Sequence, residues 1–173
     1  MRILLTGGSA SGKSTYAEKL SLLLPPPHYY IATMEVTDEE ARRKVVRHQQ
    51  MREGKGFITI EKPKDLGRLH FDEPGTILVE CLCNLLANEM FDGEGRILDV
   101  YNKILDDLEQ LEKRSRHLIL VTNEVGSDGY PYTSETQAYI QLLGRLNRAF
   151  ASRFETLAEL TAGIPIALKG ELP

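Results

Sequence analysis

The segment that most restricts the fold of this chain is its beginning, MRILLTGGSASGKST. A short apolar run over residues 2–6 is followed at once by the pattern G-x-x-x-x-G-K-S over residues 7–14. Between a strand and a helix this pattern predicts a phosphate cradle, because its glycines let the backbone curl around phosphate while N–H groups and the helix dipole face the anion. We therefore expect a nucleoside triphosphate to bind here.

Two side chains of this loop have specific expected roles. Lys13 should reach the β- and γ-phosphate oxygens, and the hydroxyl of Ser14 should bind Mg²⁺. The residues of the loop expected to contact the nucleotide are Gly7, Gly8, Ser9, Ala10, Ser11, Gly12, Lys13, Ser14 and Thr15. The motif alone leaves open whether a phosphate is transferred, the nucleotide is transferred, or the nucleotide is only sensed.

Apolar runs and amphipathic stretches alternate along the rest of the chain. The pattern predicts strands over 2–6, 29–33, 57–63, 76–82 and from 117, and a terminal hairpin near 157–168. It predicts helices over 12–24 with Leu20 and Leu23 on the inner face, over 37–52, 82–91 and 96–113, and from a cap at Ser134. This alternation predicts one α/β domain spanning residues 1–173, with a mostly parallel sheet covered by helices on both faces.

Polar residues follow several of the predicted strands. Functional groups of such folds collect at the carboxyl ends of the strands, so we expect Thr33, Asn123 and Glu124 to contact nucleotide near the phosphate loop. Glu80, which ends ILVE, is the expected catalytic carboxylate that positions Mg²⁺ or its water. A carboxylate that only caps the next helix is the alternative for Glu80. For Glu124, metal ligand and substrate contact both stay open.

The composition narrows the function classes. A net charge of −4 provides no overall basic field, so no nucleic acid partner is expected. The apolar runs are far too short for a membrane span, and the first strand leaves no room for a targeting peptide, so we expect a cytoplasmic protein. Cys81 and Cys83 are expected to be reduced thiols, because their spacing suits a structural disulfide poorly.

The second informative segment is EEARRKVVRHQQMREGKG, which contains one histidine. On a helical wheel Val45, His48 and Arg52 share a stripe where the surface changes from apolar to basic. His48 is either a packed or surface histidine, or a nucleophile whose neutral imidazole attacks an α-phosphate. In the second case nearby cations, Arg52 among them, would stabilise the charge on the phosphates.

The chain resembles the bifunctional adenosylcobinamide kinase/adenosylcobinamide-phosphate guanylyltransferases of cobalamin biosynthesis. The resemblance runs nearly end to end through LLTGGSASGKSTYAEKL, YYIATM, RHQQMR, LVECLCNLLANEMF, LVTNEVG and LGRLNRAF…AGIPIALKG. The segment RHQQMR matches the H-x-x-x-R helix that contains the guanylylated histidine of the family. The phosphate loop and V-T-N-E-V-G at this spacing are together quite specific.

This resemblance implies a P-loop NTPase of RecA-like topology, a three-layer α/β/α fold that is commonly a homo-oligomer, in this family a trimer. It implies an enzyme that uses ATP or GTP with Mg²⁺ to phosphorylate adenosylcobinamide. The same enzyme would then move GMP from GTP onto that phosphate through His48. Lys13 and Ser14 would hold the phosphates, and Glu80 with residues 123–126 would line the site.

The chain departs from the family pattern at three places. Ala10 stands where the family usually has an arginine, and SDGYPYTSETQ follows NEVG where the family reads G-I-V-P. In the next helix Ile140 and Gln141 replace an arginine and an aspartate. The identity of the acceptor substrate therefore stays open, because two of these departures lie in segment 127–141. The alternatives are a divergent small-molecule P-loop kinase and a non-catalytic nucleotide-binding protein of the same fold.

Overall fold

The computed structural model describes residues 1–36, 39–94, 96–126 and 129–173, with the backbone alone for residues 40, 41, 44, 47, 48 and 51. Its strands are β1 (Arg2–Thr6), β2 (His28–Ala32), β3 (Phe57–Glu61), β4 (Thr76–Val79), β5 (His117–Val121), β6 (Thr156–Thr161) and β7 (Ile164–Lys169). Its α-helices are α1 (Lys13–Leu23), α2 (Glu39–Arg52), α3 (Leu82–Met90), α4 (Tyr101–Arg114) and α5 (Ser134–Arg153). A short 3-10 helix spans Leu66–Arg68.

The strands form one sheet in the order β3-β2-β4-β5-β1-β6-β7. All neighbouring strands are parallel except β6 and β7, which pair antiparallel as the predicted hairpin. The predicted mostly parallel sheet is confirmed. β1 lies in the interior of this sheet, between β5 and β6, so the loop that follows β1 begins at the middle of the carboxyl edge.

Helices cover both faces of the sheet, as predicted. Alternate residues of β1 point to opposite faces, so Ile3 and Leu5 pack with Leu20 of α1, while Leu4 packs with α3, α4 and α5 on the other face. The strands β1, β4 and β5 are almost completely buried, which is why they are near-continuous apolar runs rather than alternating ones. In the described part of the chain, no helix combines the length and hydrophobicity that a bilayer crossing needs.

Three details of the sequence prediction are wrong. Leu23 is 71% exposed, because it lies about 120° around the helix from the buried Ala17, given ~100° per residue. The helix predicted from residue 96 begins at Tyr101, because Ile97 forms a β-bridge with Phe91. The N-cap of α5 is Thr133, whose hydroxyl accepts the Thr136 N–H at 3.4 Å, and Ser134 is already helical.

Candidate active site

The loop between β1 and α1 has the backbone that a phosphate cradle requires. Gly7 has φ 140° and Gly12 has φ 94°, which are conformations that side chains rarely adopt. A Cβ on Gly7 would also lie 2.5 Å from the carbonyl oxygen of Leu160 in β6. Both glycines of the motif are therefore required by the local backbone, as the motif predicts.

The N–H groups at the start of α1 point toward this loop. The first intrahelical bond runs from the Tyr16 N–H to the Gly12 carbonyl, so the N–H groups of Lys13, Ser14 and Thr15 precede the helix ladder. Gly8, Ser9 and Ala10 are exposed above them. The structure therefore brings the predicted loop residues together around exposed backbone donors at a positive helix end, which suits an anion.

Lys13 is folded into its own loop. Its Nζ donates to the carbonyl oxygens of Gly7 at 3.0 Å and Gly8 at 2.6 Å, and the residue is only 7% exposed. Burial lowers the pKa of Lys13 below its ordinary value, and electrostatic interactions with Cys81, Cys83 and Glu124 oppose this effect. A buried ammonium held by carbonyl oxygens is placed to exchange these contacts for phosphate oxygens.

Two neighbouring elements hold the phosphate loop in place. The Gly163 N–H donates to the Ser11 carbonyl at 2.8 Å from the turn between β6 and β7. On the other side the Glu124 N–H, just after β5, donates to the Gly7 carbonyl at 3.4 Å. The sequence indicated the hairpin but not this contact. Its local signal is the Ala162-Gly163 pair, whose φ angles of 52° and 81° form the mirror-image turn that hairpins favour.

Glu80 lies directly after β4 on the same edge of the sheet. β5 separates β4 from β1, so the ends of β4 and β1 are about 10 Å apart. Glu80 is half-buried beside Tyr30 of β2. Burial raises the pKa of Tyr30, and the charge of Glu80 raises it further. The carboxylate is thus at the edge where prediction placed it, on the α1 face of the sheet.

Arg52, the last residue of α2, is the most deeply buried arginine of the described chain. Its guanidinium lies 3.7 Å from the centre of the Tyr30 ring, and the residue is 5% exposed. Its Nε and Nη1 atoms are buried and have no hydrogen-bond partner among the described residues. Nearby, Lys55 and Glu18 form an ion pair at 2.8 Å that joins the end of α2 to α1. The Arg52 guanidinium therefore has unused donors close to Glu80.

The prediction for His48 lies outside what the structure describes, because only the backbone of that residue is given. The backbone places His48 in α2, one helical turn before Arg52. Beside it, Gln49 donates a hydrogen bond to Glu61 of β3, which ties α2 to the edge of the sheet. The role of His48 stays a prediction.

The remaining predicted residues lie at the ends of β2 and β5. Thr33 is fully buried and its hydroxyl donates to the Cys81 carbonyl at 2.8 Å, so it joins the ends of β2 and β4. Asn123 is half-buried, and its carbonyl accepts from Asn147 Nδ2 at 3.4 Å. Asn147, which also accepts from Thr122 at 2.8 Å, is absent from the predicted site residues. Nucleotide contacts of Thr33 and Asn123 stay predictions.

Cys81 and Cys83 are free thiols at the start of α3. A hydrogen bond from the Cys81 thiol, followed by one from the Asn123 N–H, lowers the pKa of Cys83 to about 6 despite its burial. The described residues contain no cluster of three histidine, cysteine, aspartate or glutamate side chains that could hold a metal ion.

Comparison with known proteins gives consistent results. A family profile described as cobinamide kinase / cobinamide phosphate guanyltransferase matches residues 3–168. The bifunctional adenosylcobalamin biosynthesis protein CobP of Pseudomonas aeruginosa is 34% identical over 174 residues, covering 99% of each chain. Its counterpart CobU of Escherichia coli K12 is 29% identical over 98% of this chain and 100% of its own.

One solved structure supports the fold. An ATPase from the type III secretion system of pathogenic bacteria aligns with a TM-score of 0.55 and 14% identity. The alignment covers 92% of this chain and 51% of the ATPase. At this identity the likeness concerns the fold alone, and it confirms the predicted P-loop NTPase architecture.

Proposed function

Because the chain belongs to the cobinamide kinase / cobinamide phosphate guanyltransferase family, we propose that it catalyses both reactions of that name. It phosphorylates adenosylcobinamide with ATP or GTP and then transfers GMP from GTP to the resulting phosphate. The observation that supports this best is the phosphate loop, with Lys13 buried inside it and the N–H groups that precede the helix ladder of α1 beside it. One such cradle can hold the triphosphate for both transfers.

In the kinase reaction an acceptor hydroxyl oxygen attacks the γ-phosphorus. The bond from the γ-phosphorus to the β–γ bridging oxygen breaks, a nucleoside diphosphate leaves, and the hydroxyl proton passes to water. Lys13 and the N–H groups of residues 13–15 stabilise the charge that develops on the phosphate oxygens. This is positioning and electrostatic stabilisation, which are the main contributions that a protein makes to phosphoryl transfer.

The donor set fits Mg²⁺ rather than a metal held by protein alone. The Ser14 hydroxyl and the Glu80 carboxylate are both half-buried at the carboxyl edge and would hold the ion together with substrate oxygens and water. When bound, Mg²⁺ neutralises charge on the phosphates. Mg²⁺ usually keeps several waters and takes one or two carboxylates, which agrees with the missing three-residue cluster in the described chain.

In the guanylyl transfer a ring nitrogen of neutral His48 attacks the α-phosphorus of GTP. The bond between the α-phosphorus and the α–β bridging oxygen breaks, pyrophosphate leaves, and the N–H proton of the other ring nitrogen passes to water. An oxygen of the acceptor phosphate then attacks the same phosphorus, the P–N bond breaks, and a pyrophosphate linkage forms. The unused Nε and Nη1 donors of Arg52, four residues after His48, support an anion next to this helix.

Two further properties complete the proposal. The chain forms a homo-oligomer, a trimer by its resemblance, and the apolar residues exposed on β7 support a contact between copies. It acts in the cytoplasm, where the free thiols of Cys81 and Cys83 would stay reduced.

The test uses GTP labelled in turn at the α- and γ-phosphate, with Mg²⁺, followed by denaturation and mapping of the label. The α-label is expected on the protein and at His48, as an acid-labile adduct. The variant His48→Ala should lose it, and the matched control His70→Ala, which changes an exposed histidine, should keep it. A γ-label on the protein, or no label on folded protein, contradicts the histidine mechanism.

A divergent small-molecule kinase is the second candidate, because Ile140 and Gln141 replace a charged pair of the family pattern in the helix beside the site. Such a kinase needs Lys13 but not His48. It predicts that His48→Ala phosphorylates its acceptor at the full rate and that cobinamide is not the preferred acceptor. The wild-type protein separates the two candidates: the α-label from GTP together with phosphorylation of cobinamide by ATP supports the bifunctional enzyme, and absence of the label together with poor phosphorylation of cobinamide supports the divergent kinase.

A further inference from the structure

A groove beside the phosphate loop contains residues that have no predicted role in nucleotide binding. It has a volume of about 550 Å³ and runs between the loop after β5 and the middle of α5. Its walls include Asn123, Val125, Ile140, Gln141, Arg145 and Arg148. The groove is large enough for part of a substantial ligand, and we name it the α5 groove.

The α5 groove is directly connected to the phosphate loop. Glu124 lines the groove, and its N–H donates to the Gly7 carbonyl. Asn147 also lines the groove, where it links Thr122 to Asn123 across β5 and α5. A molecule in the groove would therefore have one end near the γ-phosphate position, which is where an acceptor must lie for in-line transfer.

The walls of the α5 groove are mixed in character. Ile140 packs tightly under the loop after β5, because a Cβ on Gly126 would lie 2.9 Å from Ile140 Cγ2. Val125 is 46% exposed in the same wall. Ile140 and Gln141 are also the positions where the family pattern has an arginine and an aspartate. The charged pair is thus replaced by an apolar side chain and a neutral amide.

Two arginines of α5, Arg145 and Arg148, contribute positive charge to the groove. The Arg145 guanidinium is fixed 4.3 Å over the ring of Tyr101. Arg148, one turn farther along, is exposed and makes no ion pair within the described residues. Among the described residues that line the groove, only Glu124 has a carboxylate to oppose these two charges, so this part of the groove favours an anion. An arginine with unused donors is the side chain best matched to a phosphate.

We propose that the α5 groove binds the acceptor and that Arg148 binds the phosphate of the phosphorylated acceptor. The ligand class is a phosphomonoester of a large, partly apolar alcohol, and the proposal rests on the proposed function. Arg148 distinguishes the two half-reactions of the enzyme, because only the acceptor of the second transfer has a phosphate. It is a specificity-determining residue for the guanylyl acceptor and takes no part in binding the nucleotide.

The experiment measures binding of cobinamide phosphate and of unphosphorylated cobinamide to the nucleotide-free protein, by titration of the corrinoid absorbance. Arg148→Ala is expected to weaken the binding of cobinamide phosphate at least tenfold, because a charge-assisted contact with phosphate is lost. Cobinamide should change less than twofold. The conservative variant Arg148→Lys should recover part of the lost affinity. The control is Arg116→Ala, because Arg116 is exposed and lies before β5, at the amino ends of the strands. It should not change the affinity for either corrinoid.

A parallel measurement separates this proposal from the proposed function. Without acceptor, α-labelled GTP should label the protein equally well in Arg148→Ala and in the wild type. When cobinamide phosphate then removes the label from the protein, its KM should be at least tenfold higher in Arg148→Ala. Absence of loading in the wild type contradicts the histidine mechanism, and the titration still decides the role of the groove. Equal weakening of both corrinoids, no weakening, or reduced loading would overturn the assignment of Arg148.

Discussion

Arg52 shows what a single buried charge contributes at this site. The residue is 5% exposed, its guanidinium lies over Tyr30, and its Nε and Nη1 atoms have no hydrogen-bond partner among the described residues. Unpaired buried polar groups are costly, so folding alone gives little reason to keep this arginine. A phosphate that reaches the end of α2 would use the donors that the protein leaves unpaired.

The variant Arg52→Met keeps an unbranched side chain at this position and removes the charge. The free energy of unfolding in urea is expected to stay the same or to rise by about 1 kcal/mol, because apolar replacement of a poorly paired buried charge is often neutral or stabilising. Labelling from α-labelled GTP should fall by about tenfold or more.

The matched control is Arg43→Met, because Arg43 is exposed on the same helix. It should change neither the free energy of unfolding nor the labelling. If Arg52→Met lost more than about 2 kcal/mol of stability with labelling intact, Arg52 would have a structural role only.

The start of α5 is the clearest example at the scale of one element. Thr133 has extended backbone angles, φ −61° and ψ 163°, and its hydroxyl accepts the Thr136 N–H. Ser134 already has helical geometry, so its hydroxyl cannot occupy the same position. The first turn of α5 thus depends on Thr133.

We predict that Thr133→Ala lowers the free energy of unfolding by about 1 kcal/mol, which is typical for loss of an N-cap. Ser134→Ala should cost clearly less, because Ser134 is the first helical residue and the capping hydroxyl belongs to Thr133. Urea unfolding of both variants, followed by circular dichroism, gives the comparison. A larger loss for Ser134→Ala would show that the predicted cap at Ser134 is the one used in solution.

Elements were predictable where their cause is local. The glycines of the phosphate loop, the apolar strands and the β6–β7 hairpin follow from backbone needs and periodicity, and the structure confirms them. The cap was misplaced by one residue because Thr133 and Ser134 have equivalent hydroxyls, and only backbone angles distinguish them. The α5 groove was not predicted because Arg145 and Arg148 have the pattern of any solvated helix face. Their partners, Tyr101 and the loop after β5, are distant in sequence.

At the scale of the whole molecule, the two edges of the sheet differ. β7 is an edge strand and exposes Ile164, Ile166 and Leu168 on alternate positions, at 65%, 46% and 56%. β3, at the opposite edge, exposes Ile58 alone among its large apolar residues. An uncovered apolar edge strand is prone to pairing, so the β7 edge is the expected contact between copies of the chain.

If the chain forms the proposed oligomer through this edge, Ile166→Glu should dissociate it without unfolding the protein, because a buried unpaired carboxylate is costly at an interface. Light scattering of the eluted protein gives the mass, and circular dichroism checks the fold. The control Ile58→Glu, at the other edge, should leave the mass unchanged. A wild-type monomer, or an Ile166→Glu variant of unchanged mass, would contradict the assignment of this edge.

The hydrogen bond between Gly163 and Ser11 also has a consequence for biosynthesis. The ribosome makes the phosphate loop before all helices and all strands except β1 that the structure describes, and it makes the β6–β7 turn after all of these except β7. β1 has no strand to pair with until its neighbours β5 and β6 have been made, and both are made much later. A nascent chain that lacks the hairpin has the complete nucleotide motif but cannot yet hold it in shape. The ability to bind a triphosphate therefore arises only after the β6–β7 turn has been made and the sheet around β1 is complete.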